Sequence, residues 1–288
     1  MPLYEPGAHI DVHVPGIGAR QYSLVRPYLA DEPYVIAVQM VPDGRGGSRW
    51  IHEHLHVGAT VEIGAPRNHF ALQPGPRTLL IAGGIGLTPL ICMADACERA
   101  GRAYDLVVCS RTEANVVYFA ELLAPRSHGQ VQFVLDGGDP SRGLDIPSLL
   151  RAQPPGTRVY CCGPPGLMAA VRAAGAEIGG LSLHFEAFGA GPSSPAPAPD
   201  DAPFTVACAQ SGLTVEIAPG ETILDRLLAA GLDADHSCRE GYCGTCVTRW
   251  LSGAPIHRDT CLSEVERSRY VAVCTARAEA HSTLVLDL

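Results

Sequence analysis

The sequence contains no lysine, so all 21 of its Lys/Arg positions are arginine. That absence excludes every chemistry built on a lysine amine: Schiff-base catalysis, the phosphate-loop lysine and the Ser-x-x-Lys nucleophile. A basic surplus is missing too. Against 30 acidic groups the net charge is −9, which removes nucleic acid from the expected partners. No apolar run reaches membrane-spanning length. The longest, residues 79–94, is broken by Gly83, Gly84, Gly86, Thr88 and Pro89, and reads as a buried strand, a glycine turn and a helix start. The N-terminus lacks a basic-then-apolar signal segment, so a cytoplasmic protein is expected. Cysteine, by contrast, is plentiful. Eleven is an odd number, which rules out complete internal pairing, and in a reducing compartment clustered cysteines hold metal more often than they form disulfides.

Composition divides the chain. Residues 189–203 carry Pro192, Pro195, Pro197, Pro199 and Pro203 and no aliphatic side chain larger than alanine. Such a stretch makes no core and predicts a spacer of up to about 45 Å if polyproline-like. A softer break lies at Gln73-Pro74-Gly75-Pro76. Before it, short alternating stretches (residues 9–14, 34–38 and 60–63) predict antiparallel β structure. After it, continuous apolar runs at 78–82, 104–109, 131–135 and 158–162 alternate with helical patterns, as buried parallel strands do in a doubly wound α/β domain. The expected parts are therefore 1–74, 75–188, the spacer 189–203, and a compact 204–288.

The strongest chemical signal lies in the last part. Cys238, Cys243 and Cys246 are followed much later by Cys274, the C-x4-C-x2-C…C spacing of plant-type [2Fe-2S] proteins. Four thiolates must converge on two irons, and Gly241 and Gly244 let one loop aim three of them inward. A structural zinc site or a Cys243/Cys246 redox dithiol are the competing readings, but zinc sites come as two short pairs. Cys261, in the polar stretch His257-Arg258-Asp259-Thr260-Cys261, reads as a bystander. Cys92, Cys97, Cys109, Cys161 and Cys208 fall in apolar segments and read as small buried hydrophobes.

Two glycine-rich segments have anion-binding chemistry. Gly83, Gly84, Ile85, Gly86, Thr88 and Pro89 follow a buried strand and open a helix, where backbone N–H groups meet a pyrophosphate. By itself this pattern fits a structural turn as well. Gly46, Gly47, Ser48 and Arg49 join glycines, a hydroxyl and a guanidinium at a helix start. The helix that follows carries His52-Glu53-His54-Leu55-His56, which matches the zincin pattern H-E-x-x-H; the competing reading is a solvated helix face.

Taken together these motifs resemble the ferredoxin-NADP reductase superfamily. The 83–89 turn is similar to its nicotinamide-binding turn, and Cys162-Gly163-Pro164, with Met168, to its second turn near the nicotinamide. Arg20-Gln21-Tyr22-Ser23 resembles its flavin motif, and residues 204–288 resemble plant-type ferredoxins of β-grasp fold. The order of parts resembles the phthalate dioxygenase reductase family, the FMN- and [2Fe-2S]-containing reductases of Rieske oxygenases.

That resemblance implies a Greek-key antiparallel barrel for FMN, here expected to lack its first two strands, an α/β domain for NADH, and a C-terminal ferredoxin. It implies that Arg20 and Arg49 serve the FMN phosphate, Tyr22 the ring edge and Ser23 a position near N5. Cys162 approaches the nicotinamide, and Phe188, in His184-Phe185-Glu186-Ala187-Phe188, covers the flavin face. NADH over NADPH rests on the resemblance, while Arg111, just after the strand that ends at Cys109-Ser110, could pair with a nucleotide 2′-phosphate and so keeps NADPH as the alternative. The implied activity takes electrons in pairs from NADH and delivers them singly, through the cluster, to a terminal oxygenase. Alternatives are a cytochrome P450 as acceptor, or a cluster carrier that no longer holds FMN. A monomer is expected. Residues 204–288 hold seven Arg against eleven Asp and Glu, a net of −4, which predicts docking to a basic surface that weakens with salt.

Overall fold

The structure, a computed structural model, describes every residue except Asp31, Asp43, Arg45, 189–200, Ser237, Cys238, Glu240, Tyr242, Cys243 and Ser263, and the side chains of Phe119 and Pro140. Its contacts separate two units, Met1–Glu186 and Ala187–Leu288.

The first unit begins with a hairpin of β1 (His9–Val14) and β2 (Gly18–Ser23), in which His9 is paired with Ser23. Helix α1 (Gly47–His54) and strand β3 (Glu62–Ile63) complete it, β3 pairing with β1. Ala8, Ile10, Val12, Val14, Leu24 and Ile51 form the core of this part. Residues 34–38, expected as a strand, make one bridge, Ile36 to Leu24, and one further bond from the Val25 N–H to the Val35 carbonyl. The neighbouring segment runs into Pro27, which has no N–H to offer a ladder, so pairing stops there.

The α/β part follows as β4 (Thr78–Gly83), α2 (Leu87–Arg99), β5 (Tyr104–Ser110), α3 (Phe119–Leu122), β6 (Gly129–Leu135), α4 (Ile146–Arg151), β7 (Arg158–Cys162), α5 (Pro165–Ile178) and β8 (Ser182–Glu186). All five strands are parallel, in the order β6-β5-β4-β7-β8. Alternate residues feed two layers. Leu80, Ala82, Leu106 and Val108 pack with Leu87, Leu90 and Ile91 of α2, whereas Leu79, Ile81, Val107 and Val159 pack with Ile146, Leu150, Val171 and Ala174 of α4 and α5. Burial on both faces is why these strands read as unbroken apolar runs. Each fully buried leucine contributes about 1.5–3 kcal/mol relative to exposure. Pro89 sits in the first turn of α2 and Pro165 opens α5, where a missing N–H costs nothing. Val25 and Phe70, from the antiparallel part, belong to the same core cluster as α2, so both parts of this unit share one interior.

The second unit holds β9 (Phe204–Cys208), β10 (Thr214–Ile217), α6 (Ile223–Ala229), β11 (Val247–Ser252), β12 (Pro255–Ile256), α7 (Glu264–Arg267), β13 (Tyr270–Ala272), β14 (Arg277–Ala278) and β15 (Thr283–Leu286). Its main sheet runs β10-β9-β15-β11-β13, with β15 parallel to β9 and antiparallel to β11. Ile223, Leu224 and Leu227 of α6 close the core, and the Thr222 hydroxyl caps the helix by accepting from the Asp225 N–H at 2.9 Å.

Arg277 is the largest fully buried side chain, 2% exposed. Its guanidinium donates to the carbonyls of Glu221 at 2.6 Å and Ala202 at 2.8 Å, stacks over the Phe204 ring at 4.6 Å, and lies 3.7 Å from Asp201. Arg258 grips the same Asp201 with two bonds of 2.8 and 2.5 Å. Asp201 and Ala202, which composition groups with the spacer, are therefore tied to this unit. Among the described residues no helix is long and apolar enough to cross a membrane.

Candidate functional site

Strands β4 and β7 lie side by side although the chain builds β5 and β6 between them. Their carboxyl ends form the switch point at which open α/β sheets bind nucleotides. Both predicted nicotinamide turns meet there. A Cβ on Gly83 would come within 2.6 Å of Pro164 Cδ and 2.8 Å of Leu167 Cδ2, and one on Gly163 within 2.8 Å of the Gly83 Cα. A Cβ on Gly86 would run into the Cys162 carbonyl. Gly84, at φ 55, takes a left-handed conformation and its Cβ position meets nothing within 4 Å, which leaves its backbone open to a ligand. Ile85 and Gly86 complete a short 3-10 turn before α2. The Thr88 hydroxyl donates to the Ile85 carbonyl at 3.0 Å and locks the turn. This cradle of close backbones fits a pyrophosphate, which needs N–H groups that no side chain screens.

At the end of β7, Cys162 is buried. Burial, then the neighbouring Glu186 carboxyl, pushes its thiol well above the usual range, so it is a thiol and not a nucleophile. Glu186 is its register partner on β8. The Glu186 Oε2 is shielded from water with no hydrogen-bond partner among the described residues, and burial pushes this carboxyl up to about 8. Ser110, at the edge of β5, is buried, and its hydroxyl donates to the Thr112 carbonyl. Arg111 is exposed, and its carbonyl accepts from Gly137. Met168 sits in the first turns of α5 and packs on its core layer.

The flavin motif lies on β2. Ser23 is 4% exposed and its Oγ has no partner among the described residues, an orphaned hydroxyl that a flavin edge would satisfy. Tyr22 is half-buried, and burial raises its phenol against the opposing pull of Arg20. Gln21 bonds His9 across the hairpin, Nε2 to Nε2, at 3.0 Å. Burial, then Arg67 and His69, pushes His9 down to about 4.

Arg20 links this strand to the second anion motif. A Cβ on Gly47 would come within 2.6 Å of Arg20 Cγ and 3.0 Å of its Nε, so the guanidinium stem lies over the start of α1. Gly46, at φ 81, is the N-cap and supplies no side-chain cap. The free N–H groups of that end and Arg20 fit a phosphate. Ser48 and Arg49 brace the preceding loop instead, the hydroxyl accepting from the Val41 N–H at 3.1 Å and the guanidinium donating to the Pro42 carbonyl.

The zincin-like histidines do not converge. His52 Nε2 lies 2.8 Å from the Val38 carbonyl, His54 stacks on Trp50 at 4.9 Å, and His56 Nδ1 lies 2.9 Å from the His54 carbonyl. Among the described residues no group of three His, Cys, Asp or Glu side chains is placed to hold a metal ion.

Of the four proposed cluster ligands, Cys238 and Cys243 lie outside the described residues. Cys246 and Cys274 are 4% and 1% exposed. They flank paired strands, since Val247 opposes Ala272 and the Val273 N–H donates to the Cys246 carbonyl at 3.3 Å. Arg239, Gly241 and Gly244 all take positive φ. The Gly241 carbonyl accepts from Thr260 and Cys261. A Cβ on Gly241 would lie 3.0 Å from Asp259 Cα and 2.8 Å from Thr275 Oγ1. Two buried thiols on adjoining segments fit half of the four-thiolate donor set of a [2Fe-2S] cluster. The Cys261 thiol reaches the Asp259 carboxylate at 3.9 Å. Phe188 belongs to the second unit and is 45% exposed. Sequence reasoning did not single out Glu186 or Thr275. For Glu186 the signal was an acid at the end of the strand-like Ser182–Glu186 stretch; Thr275 offered a hydroxyl inside an apolar run.

Comparisons with known proteins agree with this architecture. Residues 206–279 match the 2Fe-2S iron-sulfur cluster binding domain. The chain is 39% identical over 293 residues to a vanillate O-demethylase oxidoreductase of Pseudomonas sp. (strain HR199 / DSM 7063), covering 100% of this chain and 91% of the relative. The solved structure of phthalate dioxygenase reductase superposes with a TM-score of 0.70 at 37% identity, over 100% of this chain and 89% of that one. An intact type IV self-sufficient cytochrome P450 monooxygenase gives a TM-score of 0.81 at 37% identity, and here the chain spans only 37% of the longer protein. The fold is thus an antiparallel flavin-type barrel, a doubly wound α/β layer and a C-terminal ferredoxin. The chain belongs to the phthalate dioxygenase reductase family of FMN- and [2Fe-2S]-containing reductases.

Proposed function

We propose that this protein is the NADH-oxidising reductase component of an oxygenase system and passes electrons through FMN and a [2Fe-2S] cluster to a Rieske-type terminal oxygenase. The observation that carries this reading is the meeting of the two glycine turns at the switch point, in a chain that also holds Cys246 and Cys274 buried beside paired strands. When bound, FMN and the cluster supply the conversion of electron pairs into single electrons.

The roles proposed for the chain's own residues follow from their placement. Gly83, Gly84, Ile85 and Gly86 present backbone N–H groups to the nucleotide's phosphates, with Thr88 and Pro89 holding the turn. Gly163 and Pro164 press the second turn against the first, and Cys162 and Met168 support the nicotinamide end. Ser110 and Arg111 border the ribose end. Arg20, Tyr22 and Ser23 address the flavin directly, with Gln21 and His9 holding the strand, while Gly46 and Gly47 turn α1 toward the phosphate and Ser48 and Arg49 brace its loop. Phe188 covers a flavin face. Cys238, Cys243, Cys246 and Cys274 are the cluster ligands. The domain limits proposed are 1–74, 75–188, 189–203 and 204–288, in a cytoplasmic monomer.

The test is the visible spectrum before and after anaerobic NADH. Flavin and cluster bands that both bleach are expected; cluster bands without flavin, unresponsive to NADH, would leave only an electron carrier. The likeness to the reductase portion of the P450 monooxygenase favours a second acceptor class. Measuring turnover with a Rieske oxygenase and with a P450, side by side, decides between them.

A further inference from the structure

We infer that Arg26 is a positioning residue for hydride transfer, tying the strand of the flavin motif to both segments that leave the nucleotide turns; this rests on the NADH and FMN reading above.

Arg26 stands three residues beyond Ser23, and Leu24 and Val25 between them are 0% exposed. The chain therefore carries it out of the flavin strand through a fixed interior. Its guanidinium meets three side chains of the α/β part. One nitrogen lies 3.6 Å from the Asp95 carboxylate, the other donates to the Glu121 carboxylate, and the central carbon lies 5.0 Å above the Tyr118 ring. Asp95 belongs to α2, the helix that the Gly84–Gly86 turn opens. Tyr118 and Glu121 lie in the segment that leaves β5 at Ser110 and Arg111, the ribose end of the site.

Stability does not account for the arrangement. Arg126 already satisfies Asp95, donating to it at 2.8 Å, and the Glu121 side chain is 47% exposed, where water serves it as well. The Arg26 side chain is 34% exposed, and ion pairs so placed add little to the folded state. What this one adds is geometry. A guanidinium is a rigid planar fork, and here it spans carboxylates from two separate helices. Tyr118 beneath it takes φ 56, in the left-handed region that side chains avoid. From the other side the Arg26 carbonyl accepts from the Tyr4 hydroxyl at 2.6 Å, which fixes the backbone of the residue as well.

The step served moves a hydride, two electrons with one hydrogen, from NADH, which leaves as NAD+, to FMN, which is reduced. Such a transfer depends steeply on placement, and an error of about 1 Å costs on the order of 100-fold. The core around Val25 and α2 already joins the flavin strand to the nucleotide part, but apolar contact is non-directional. Arg26 supplies the directional tie.

The experiment is anaerobic stopped-flow reduction of the FMN-loaded protein by NADH, for wild type, Arg26→Met and Arg26→Lys, with FMN content measured on the same samples. In Arg26→Met the limiting rate is expected to fall about tenfold, while FMN content and the half-saturating NADH concentration stay within about twofold. Arg26→Lys keeps the charge without the fork and is expected to recover part of the loss. Glu121→Gln cuts one tie at an exposed position and is expected to slow the limiting rate about threefold, which keeps the test decisive where Arg26→Met does not fold. An unmoved limiting rate in Arg26→Met, or in Glu121→Gln where that variant stands in, would overturn the inference. So would a fall matched by equal losses of FMN content and NADH affinity, the outcome of a merely structural role. A wild-type protein that holds no FMN, or whose FMN is not reduced by NADH, would overturn the reductase reading and this inference with it.

Discussion

Cys162 and Glu186 stand opposite one another across the parallel ladder of β7 and β8, a thiol beside a carboxyl at the edge where the nucleotide turns converge. Burial holds the proton on both. The pair therefore places no fixed negative charge beside the site near neutral pH, and both groups report their burial to solution experiments.

For Glu186 the report is a pH dependence. Its carboxyl is raised from 4.5 to about 8 in the folded protein. Between those values the unfolded chain has released the proton and the folded chain keeps it. The folded state then binds more protons, so stability falls as pH rises through this window and levels off above it. Melting temperatures measured from about pH 5 to about pH 9 are expected to decline for wild type relative to Glu186→Gln. Parallel curves for the two proteins would mean that the carboxyl is ionised in the fold.

For Cys162 the report is silence toward alkylating reagents. Burial raises its thiol well above the usual range and pushes those of Cys161 and Cys92 up to about 12, and reactivity belongs to the thiolate. Iodoacetamide at about pH 8 is expected to leave all three unmodified in the native protein and to label them after denaturation. Mass spectrometry of the peptides gives the result; labelling of native Cys162 would contradict its closed setting.

Gly47 tests the meeting of β2 and α1. An alanine there must displace the Arg20 stem, whose Cγ lies 2.6 Å from the new atom. Such crowding costs about 1–3 kcal/mol, and the expected result is about tenfold weaker FMN retention, read by flavin fluorescence after gel filtration. Unchanged retention would remove Arg20 and the α1 start from the phosphate site.

Cys274→Ser is expected to abolish the cluster's visible absorption and to leave NADH-driven reduction of ferricyanide, a flavin acceptor, within about twofold of wild type. Reduction of cytochrome c through the cluster is expected to fall by at least about tenfold. Equal loss of both activities would show that the two units do not operate separately.

Arg277→Met probes the second unit's interior. Its guanidinium is 2% exposed and satisfies the carbonyls of Ala202 and Glu221. Removal of one partner from a buried charged network costs about 3–5 kcal/mol, so the ferredoxin unit is expected to melt earlier while the first unit's transition stays in place. Calorimetry separates the two transitions.

Much of this was legible in the sequence because local chemistry and fold agree there. The runs at 78–82 and 158–162 became β4 and β7, since strands buried on both faces have no alternation to obscure. The two glycine turns were readable as motifs, but their contact was not: β4 and β7 adjoin only through the crossover of the sheet, which no spacing between residues 86 and 162 encodes. Residues 34–38 looked like a strand and make one bridge, because a strand needs a partner and Pro27 limits the one available. Glu186 escaped notice for the same long-range reason, its proton being held by an environment built from other strands. Arg49 has the company of an anion site in the sequence, and only the fold shows that its guanidinium also bonds the Pro42 carbonyl.

The strand order of the second unit has a consequence for synthesis. β15 lies in the middle of the main sheet, between β9 and β11, yet it is the last of the five strands to leave the ribosome. Until it emerges, β9 and β11 have no common neighbour, and the sheet exists only as two separate hairpin-like pieces. Contacts so distant along the chain form late and slowly. β15 begins at Thr283, nine residues after Cys274, so the fourth proposed ligand and the strand that completes this sheet are made one soon after the other.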